Sequence, residues 1–210
     1  ACPESDGLYA LLDSVTPNNL ETVWSVGQRV RQKLLEVPMP GEVADAVTRS
    51  WGEIGTYHPY AVRSSATAED LPEASFAGQQ DTYLNIIGEA DLLDAVRRCW
   101  VSLFTDRAIL YRVQNNFPHR DVQLSVVVQQ MIMAETSGTL FTADPLTGHR
   151  HTLTIDASFG LGEALVSGLV TPDAYRVAKR TRTILDRQIA DKQVAIFPEK
   201  DGGTRQVLLS

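Results

Sequence analysis

The feature that most constrains this chain is a change of hydrophobic period part-way along it. Up to about residue 116, apolar residues recur at helical spacing. Leu20, Val23, Trp24, Gly27, Val30 and Leu34 form one such series; Val43, Val47, Trp51 and Ile54 form a second; Leu92, Leu93, Val96, Trp100 and Leu103 form a third. The punctuation agrees with helices that begin near Thr16-Pro17 and near Pro40-Gly41, and with two more over about 89–104 and 106–115, the last broken by Asn115, Asn116 and Pro118. From Asp121 the texture is β-branched. Residues 124–128 read as a buried strand, and further strands follow at 137–141, 152–155, 174–177, 183–189 and 206–209. A helix-rich half followed by a strand-rich half is the signature of an α+β chain. The expected seam lies near residues 116–121, giving two lobes, 1–120 and 121–210. Trp24 and Trp51 are read as core.

Composition removes several classes. A formal net charge of −7 gives no basic face for nucleic acid. No apolar run approaches the roughly 20 residues of a membrane-spanning helix, and no signal peptide opens the chain. Cys2 and Cys99 have no metal-ligand spacing, and Cys99 sits on an apolar helical stripe as a buried free thiol, which suits a reducing, cytoplasmic setting. The four histidines form no ligand set; His149 and His151 read as a polar pair at a strand start. Both ends have the look of cuts, so the chain is expected to be a fragment of a longer protein.

The stretch 60–87 carries the chemistry. A strand signal (Tyr60, Ala61, Val62) runs into Arg63, Ser64 and Ser65; a loop of small and acidic residues follows, then Gly78 and a second strand signal over 81–87. A guanidinium and hydroxyls at a strand, facing a glycine turn, suit a polyanion such as nucleotide phosphates. The alternative is a surface arginine paired with Glu69 or Asp70. The acidic residues of the loop suit a mobile lid better than a fixed phosphate cradle, with Gly78 as the point of close backbone approach and Thr82 as a hydroxyl donor. No Walker motif is present, and Gly160-Leu161-Gly162 lacks the third glycine of a dinucleotide fingerprint. After the strongest strand, Gln129, Gln130 and Met131 offer an extended edge and a thioether to a flat heterocycle, with Glu135 in reach of a ribose; the plainer reading is the end of a core strand. Residues 156–163 are either a lobe-closing loop or a structural turn.

Taken together, AVRSSATAEDLP (61–72), SFAGQQDT (75–82), FTADP (141–145) and DASFGLGE (156–163) form a specific set. The chain resembles the ATP-binding, ATP-grasp portion of the phosphoenolpyruvate synthase and pyruvate phosphate dikinase superfamily, with a closer likeness to its rifampicin phosphotransferases. The resemblance implies ATP held between two α+β lobes. It matches Arg63 to a phosphate-contacting, catalytic arginine, Gly78 and Thr82 to the loop over the β- and γ-phosphates, residues 129–131 to the adenine hinge and Glu135 to the ribose position. It further implies an intact enzyme that splits ATP to AMP, phosphate and a phosphohistidine, then passes the phosphoryl group to rifampicin. The alternative acceptor is pyruvate; a non-catalytic nucleotide-binding regulatory module is the other alternative. The family's phosphate-binding lysine has no counterpart before Arg63, since Lys33 lies inside a helix. By the same resemblance the Mg²⁺ ligands, the swivelling phosphohistidine domain and the acceptor domain lie outside these residues, so the fragment by itself is expected not to turn over.

Overall fold

The computed structural model describes residues 5–67, 70, 71, 74, 75, 81–145 and 147–209. Two compact units divide the chain, residues 1–131 and 132–210. The division falls later than the boundary expected at 120, because the strand that opens the β-rich half is hydrogen-bonded into the first unit's sheet.

Four helices expected from the sequence are present in the first unit, and one that was not. The unforeseen helix is α1 (Ser5–Asp13), followed by α2 (Leu20–Glu36), α3 (Gly41–Ile54), α4 (Glu89–Val101) and α5 (Asp106–Gln114). Helix α2 starts at Leu20 rather than at Pro17, because the Asn19 side chain accepts the Thr22 N–H at 3.1 Å and closes the first turn. Its buried stripe is Val23, Val26, Gly27 and Val30, which packs with Leu8 and Leu12 of α1, Leu103, Phe104 and Ile109. Gly27 is needed there: a Cβ would meet Asp106, Arg31 and Ile109, where α2 and α5 approach closely and Arg31 pairs with Asp106 at 2.7 Å. That choice of face turns Trp24 outward, 55% exposed, so it is not the core residue expected. Trp51 is half-buried against the second core, as expected.

That second core lies under a three-stranded antiparallel sheet. Its order is β4-β1-β5, from β1 (Tyr60–Ala66), β4 (Thr82–Ile86) and β5 (Leu124–Gln130). Val62 is fully buried against Leu92, Ala95, Val96 and Cys99 of α4, with Val126 and Val128 beside it. The β-branched run 124–128 is therefore not buried on both faces: Val127 points the other way and is 41% exposed. This is the half-solvated alternation of antiparallel sheets, hidden in the sequence by valines on both faces. Between β1 and β4, β2 (Asp70–Leu71) and β3 (Ala74–Ser75) pair with each other, so the stretch read as a loop of small and acidic residues carries a short ladder.

The second unit is built on a four-stranded antiparallel sheet, β6 (Thr136–Phe141), β7 (Thr152–Phe159), β8 (Asp173–Ala178) and β9 (Ile184–Gln188), paired in chain order. A short helix, α6 (Glu163–Val166), follows β7. The hairpin of β10 (Val194–Pro198) and β11 (Thr204–Leu208) was only half foreseen, because the brief Val194–Pro198 run has no helical or strand-length context of its own. Residues 156–159 continue β7, and only residues 160–162 turn. Gly160 has φ +73° and forms a bridge to Ile196, whose carbonyl accepts the Leu161 N–H at 2.8 Å. The turn is thus a structural joint: a Cβ on Gly160 would run into the Ile196 carbonyl.

Arg112 is fully buried in the first unit. Its Nε donates to His119 Nδ1 at 2.9 Å, one Nη donates to the Leu103 carbonyl at 2.7 Å, and the guanidinium stacks over Phe104. Burial, then the neighbouring Arg112 charge, pushes His119 down to about 4, so it serves as a neutral acceptor. Its folded value lies below the unfolded one, so the stabilisation is complete above pH about 6.5 and disappears as pH falls towards 4. The pair is expected to cost the fold about 3 kcal/mol over that window. Thermal melts between pH 7.5 and 4 should show the loss, and His119→Gln, which keeps a neutral acceptor, should flatten it. Gly160→Ala is expected to destabilise the second unit by roughly 3 kcal/mol or more, read as a lowered melting transition.

Candidate functional site

The candidate site is the face of the β4-β1-β5 sheet that the helices leave open. Strand alternation and register decide which side chains share it. Arg63 on β1 stands opposite Thr82 on β4 and Val127 on β5, so these three form one row across the sheet. Ala61 stands opposite Gln129 in the next row on the same face, and Ser65 opposite Ser125 in the row on the other side. Arg63, Ser65, Thr82, Ser125 and Gln129 are exposed. Arg63 makes no ion pair among the described residues.

The edges of this face are pinned. At one end the β1–β5 ladder continues past Ala66, where the Thr67 N–H donates to the Gln123 carbonyl at 2.9 Å and the Gln123 N–H returns to Thr67 Oγ1 at 3.1 Å. Next to Thr82, Asp81 is paired with Arg107 of α5 at 3.0 Å and accepts from the Tyr83 hydroxyl at 3.5 Å. In β4 a bulge between the Val62↔Tyr83 and Tyr60↔Ile86 pairs carries Asn85 at φ +56°. The Asn85 N–H there donates to Met131 Sδ at 3.1 Å.

The residues singled out from the sequence fall into three groups. Arg63, Thr82 and Gln129 share the open face. Gln130 stands opposite Tyr60, on the face that carries the helices, so it does not join them. Met131 is committed inward: its N–H donates to the Pro59 carbonyl at 2.9 Å and its sulfur caps the Asn85 bulge. Gly78 lies outside the described residues. Glu135 belongs to the second unit, where its carbonyl accepts the Gly160 N–H at 2.8 Å and its side chain is exposed. Of the two hydroxyls read beside Arg63, Ser65 shares the face and Ser64, opposite Val126, does not; sequence reasoning missed Val127 and Ser125, which only the register shows.

An open row of guanidinium, hydroxyl and methyl groups, continued by an amide on one side and two hydroxyls on the other, offers donors to an anion and an apolar patch to an uncharged ring. Residues 5–210 match the family described as pyruvate phosphate dikinase, AMP/ATP-binding domain. This chain belongs to that family. Among its curated relatives, a rifampicin phosphotransferase of Bacillus subtilis is 51% identical over 207 residues, which is 97% of this chain and 24% of the relative. A rifampicin phosphotransferase of a Streptomyces species is 53% identical over 204 residues, 97% of this chain and 23% of the relative. A phosphoenolpyruvate synthase of Pyrococcus furiosus is 44% identical over 212 residues, 98% of this chain and 26% of the relative. The chain thus spans about a quarter of the length of the relatives it matches.

Within the AMP/ATP-binding domain, the described residues include no group of three or more His, Cys, Asp and Glu side chains that would hold a metal ion. His149 and His151 stack edge to face at 5.4 Å and are both exposed. No helix among the described residues is long and apolar enough to cross a membrane. Cys99 lies behind the sheet, fully buried, and burial followed by the Asp81 charge pushes its thiol up to about 12. A thiol so high has almost no thiolate at neutral pH, so it takes no part in nucleophilic chemistry. In the native protein at pH 8, Cys99 should resist alkylation by iodoacetamide and become reactive only on denaturation, as peptide mass mapping would show.

Proposed function

We propose that this chain is the ATP-binding portion, of ATP-grasp architecture, of a longer dikinase-type phosphotransferase that works in the cytoplasm. The observation that carries the reading is the open row Thr82–Arg63–Val127 with Gln129 on the same face, in a chain of the AMP/ATP-binding family. In this reading Arg63 clamps phosphate oxygens with its planar fork of N–H donors. The Thr82 hydroxyl donates to the same group from the neighbouring strand, and the Gln129 amide meets the nucleoside end. The assignments of Gly78 to the phosphates and of Glu135 to the ribose rest on the family resemblance alone. Of the hinge segment, Gln129 contributes its side chain, whereas Gln130 and Met131 contribute backbone carbonyls.

The work of such a site is positioning and charge neutralisation rather than covalent chemistry. A guanidinium fixed on a central strand holds a transferring phosphoryl group in line and offsets its negative charge without reorganising during the reaction. The overall reaction proposed for the intact enzyme consumes ATP and one water, giving AMP, inorganic phosphate and a phosphohistidine on a swivelling domain. That domain then carries the phosphoryl group to an acceptor on a further domain. Rifampicin is the acceptor favoured: relatives named rifampicin phosphotransferase are 49–53% identical to this chain, a range that lies slightly above and overlaps the 44–50% of those named phosphoenolpyruvate synthase. Reactions of this class use Mg²⁺; the described acidic side chains do not converge into a set that fits it, so no step on this chain is assigned to the metal.

Arg63→Ala in the intact protein is expected to weaken ATP binding at least tenfold in calorimetry while leaving the melting temperature unchanged, since the side chain is exposed. Unchanged ATP affinity would remove the central assignment. ATP-dependent phosphorylation of rifampicin, with pyruvate as the competing acceptor, tests the substrate; phosphorylation of pyruvate and not of rifampicin would move the chain to the synthase branch.

A further inference from the structure

Two turns of this acidic chain are basic, and the fold brings them together. Residues 147–152 read TGHRHT and residues 178–183 read AKRTRT. They hold four Lys and Arg, two His and four Thr, with no Asp or Glu, in a chain of formal net charge −7. The first leads from β6 into β7 and the second joins β8 to β9. Because β7 and β8 are antiparallel, both turns emerge at the same end of the four-stranded sheet. Thr152 stands opposite Ala178 there, and the Lys179 N–H donates to the His151 carbonyl at 3.0 Å.

Both turns are held in shape. The Asp144 N–H donates to the His149 carbonyl at 3.1 Å, and the Asp144 carboxylate accepts the Thr147 N–H at 3.0 Å. The second turn is closed by the Arg182 N–H on the Ala178 carbonyl at 2.8 Å and the Ala178 N–H on the Thr183 carbonyl at 2.9 Å. Arg182 has φ +58°, in the left-handed region that favours glycine, so a long cation occupies a position where any side chain is strained. Arg150, Lys179, Arg180 and Arg182 are exposed, and none makes an ion pair among the described residues. His149 and His151 are exposed beside them. Asp144 and Asp186, which border the turns, both stand at Arg176: the first pairs with it at 3.7 Å and the second is its register partner on β9.

We infer that these paired turns bind a small phosphate polyanion, of the diphosphate or triphosphate class, at a site of the second unit separate from the nucleotide face of the first. Three planar guanidiniums and an ammonium bring charge-assisted donors to phosphate oxygens, and threonine hydroxyls and imidazole N–H groups add neutral ones. Like charges held together without counter-charges repel one another, and a polyanion spanning both turns removes that repulsion. A divalent metal, which the His149–His151 pair would otherwise suit, is repelled by the same four cations. An extended nucleic acid needs a longer basic track than two turns, and the negative charge of the chain opposes it beyond them.

The test is calorimetry at about 0.15 M salt with inorganic tripolyphosphate as the probe. It uses the intact protein carrying Arg63→Ala, so that phosphate held by the proposed nucleotide clamp does not contribute. Tripolyphosphate should bind this protein at least tenfold more tightly than citrate, a tricarboxylate control. Adding Arg150→Gln/Lys179→Gln/Arg180→Gln/Arg182→Gln should weaken tripolyphosphate at least tenfold, with the anion-free melting temperature not lowered, since all four side chains are exposed. The milder Arg150→Gln/Arg180→Gln should weaken it at least threefold. No binding while the turns are intact would overturn the inference, because the anion would then belong to the nucleotide face alone. Unchanged affinity in the glutamine variants would overturn it too. Citrate binding as tightly as tripolyphosphate would reduce the patch to unspecific charge attraction and end the proposal.

Discussion

The pairing of β1 with β5 runs without a break from Tyr60↔Gln130 to Ala66↔Leu124, and what the first unit presents depends on that register. Because side chains alternate faces along a strand, one choice of phase sends Val62 into the α4 core and Arg63 to the open face. A slip of a single residue would exchange them. It would forfeit the roughly 1.5–3 kcal/mol gained by burying a valine and add the much larger cost of an unpaired cation in an apolar core. The same apolar contacts that hold the sheet to the helices therefore aim the guanidinium. Thr82 and Gln129 inherit their positions from β1, through the Arg63↔Thr82 and Ala61↔Gln129 pairs.

Much of this fold was legible in the sequence because helical periodicity is a local property. The bounds of α3, α4 and α5 follow from Pro40, Gly55 and the Asn115–Pro118 break, and the strands of the second unit follow from short β-branched runs. What was not legible depends on partners distant in the chain. Two helical stripes on α2 were equally compatible with the spacing, one through Trp24 and one through Val26, and α1 and α5 decide between them. A run of consecutive valines in β5 conceals which faces inward until β1 is alongside. The division of the chain after Met131 has the same cause, since strand texture begins before the second unit does.

The site was legible to a different degree. Arg63, Thr82 and Gln129 were identifiable as residue types suited to a nucleotide, and the sheet brings them to one face. Gln129, Gln130 and Met131 read in the sequence as one extended edge, yet alternation carries Gln130 to the opposite face and the bulge at Asn85 recruits the sulfur of Met131. Contiguity is a poor guide on a strand, where every second residue belongs to another surface. The serines at 65 and 125 illustrate the converse, being sixty residues apart in sequence and directly opposed in space.

The joint at Gly160 has a consequence for how the second unit comes apart. The β10–β11 hairpin is a separate two-stranded sheet. It meets β7 through the Gly160–Ile196 bridge and α6 through the hydrogen bond of Thr204 to Glu163. Ala195 and Ile196 are also buried there, so residues 194–208 are expected to open as one unit when that packing and the Gly160 bridge are lost together. In effect the hairpin is a latch on the second unit, and the absence of a side chain at residue 160 is what lets it close.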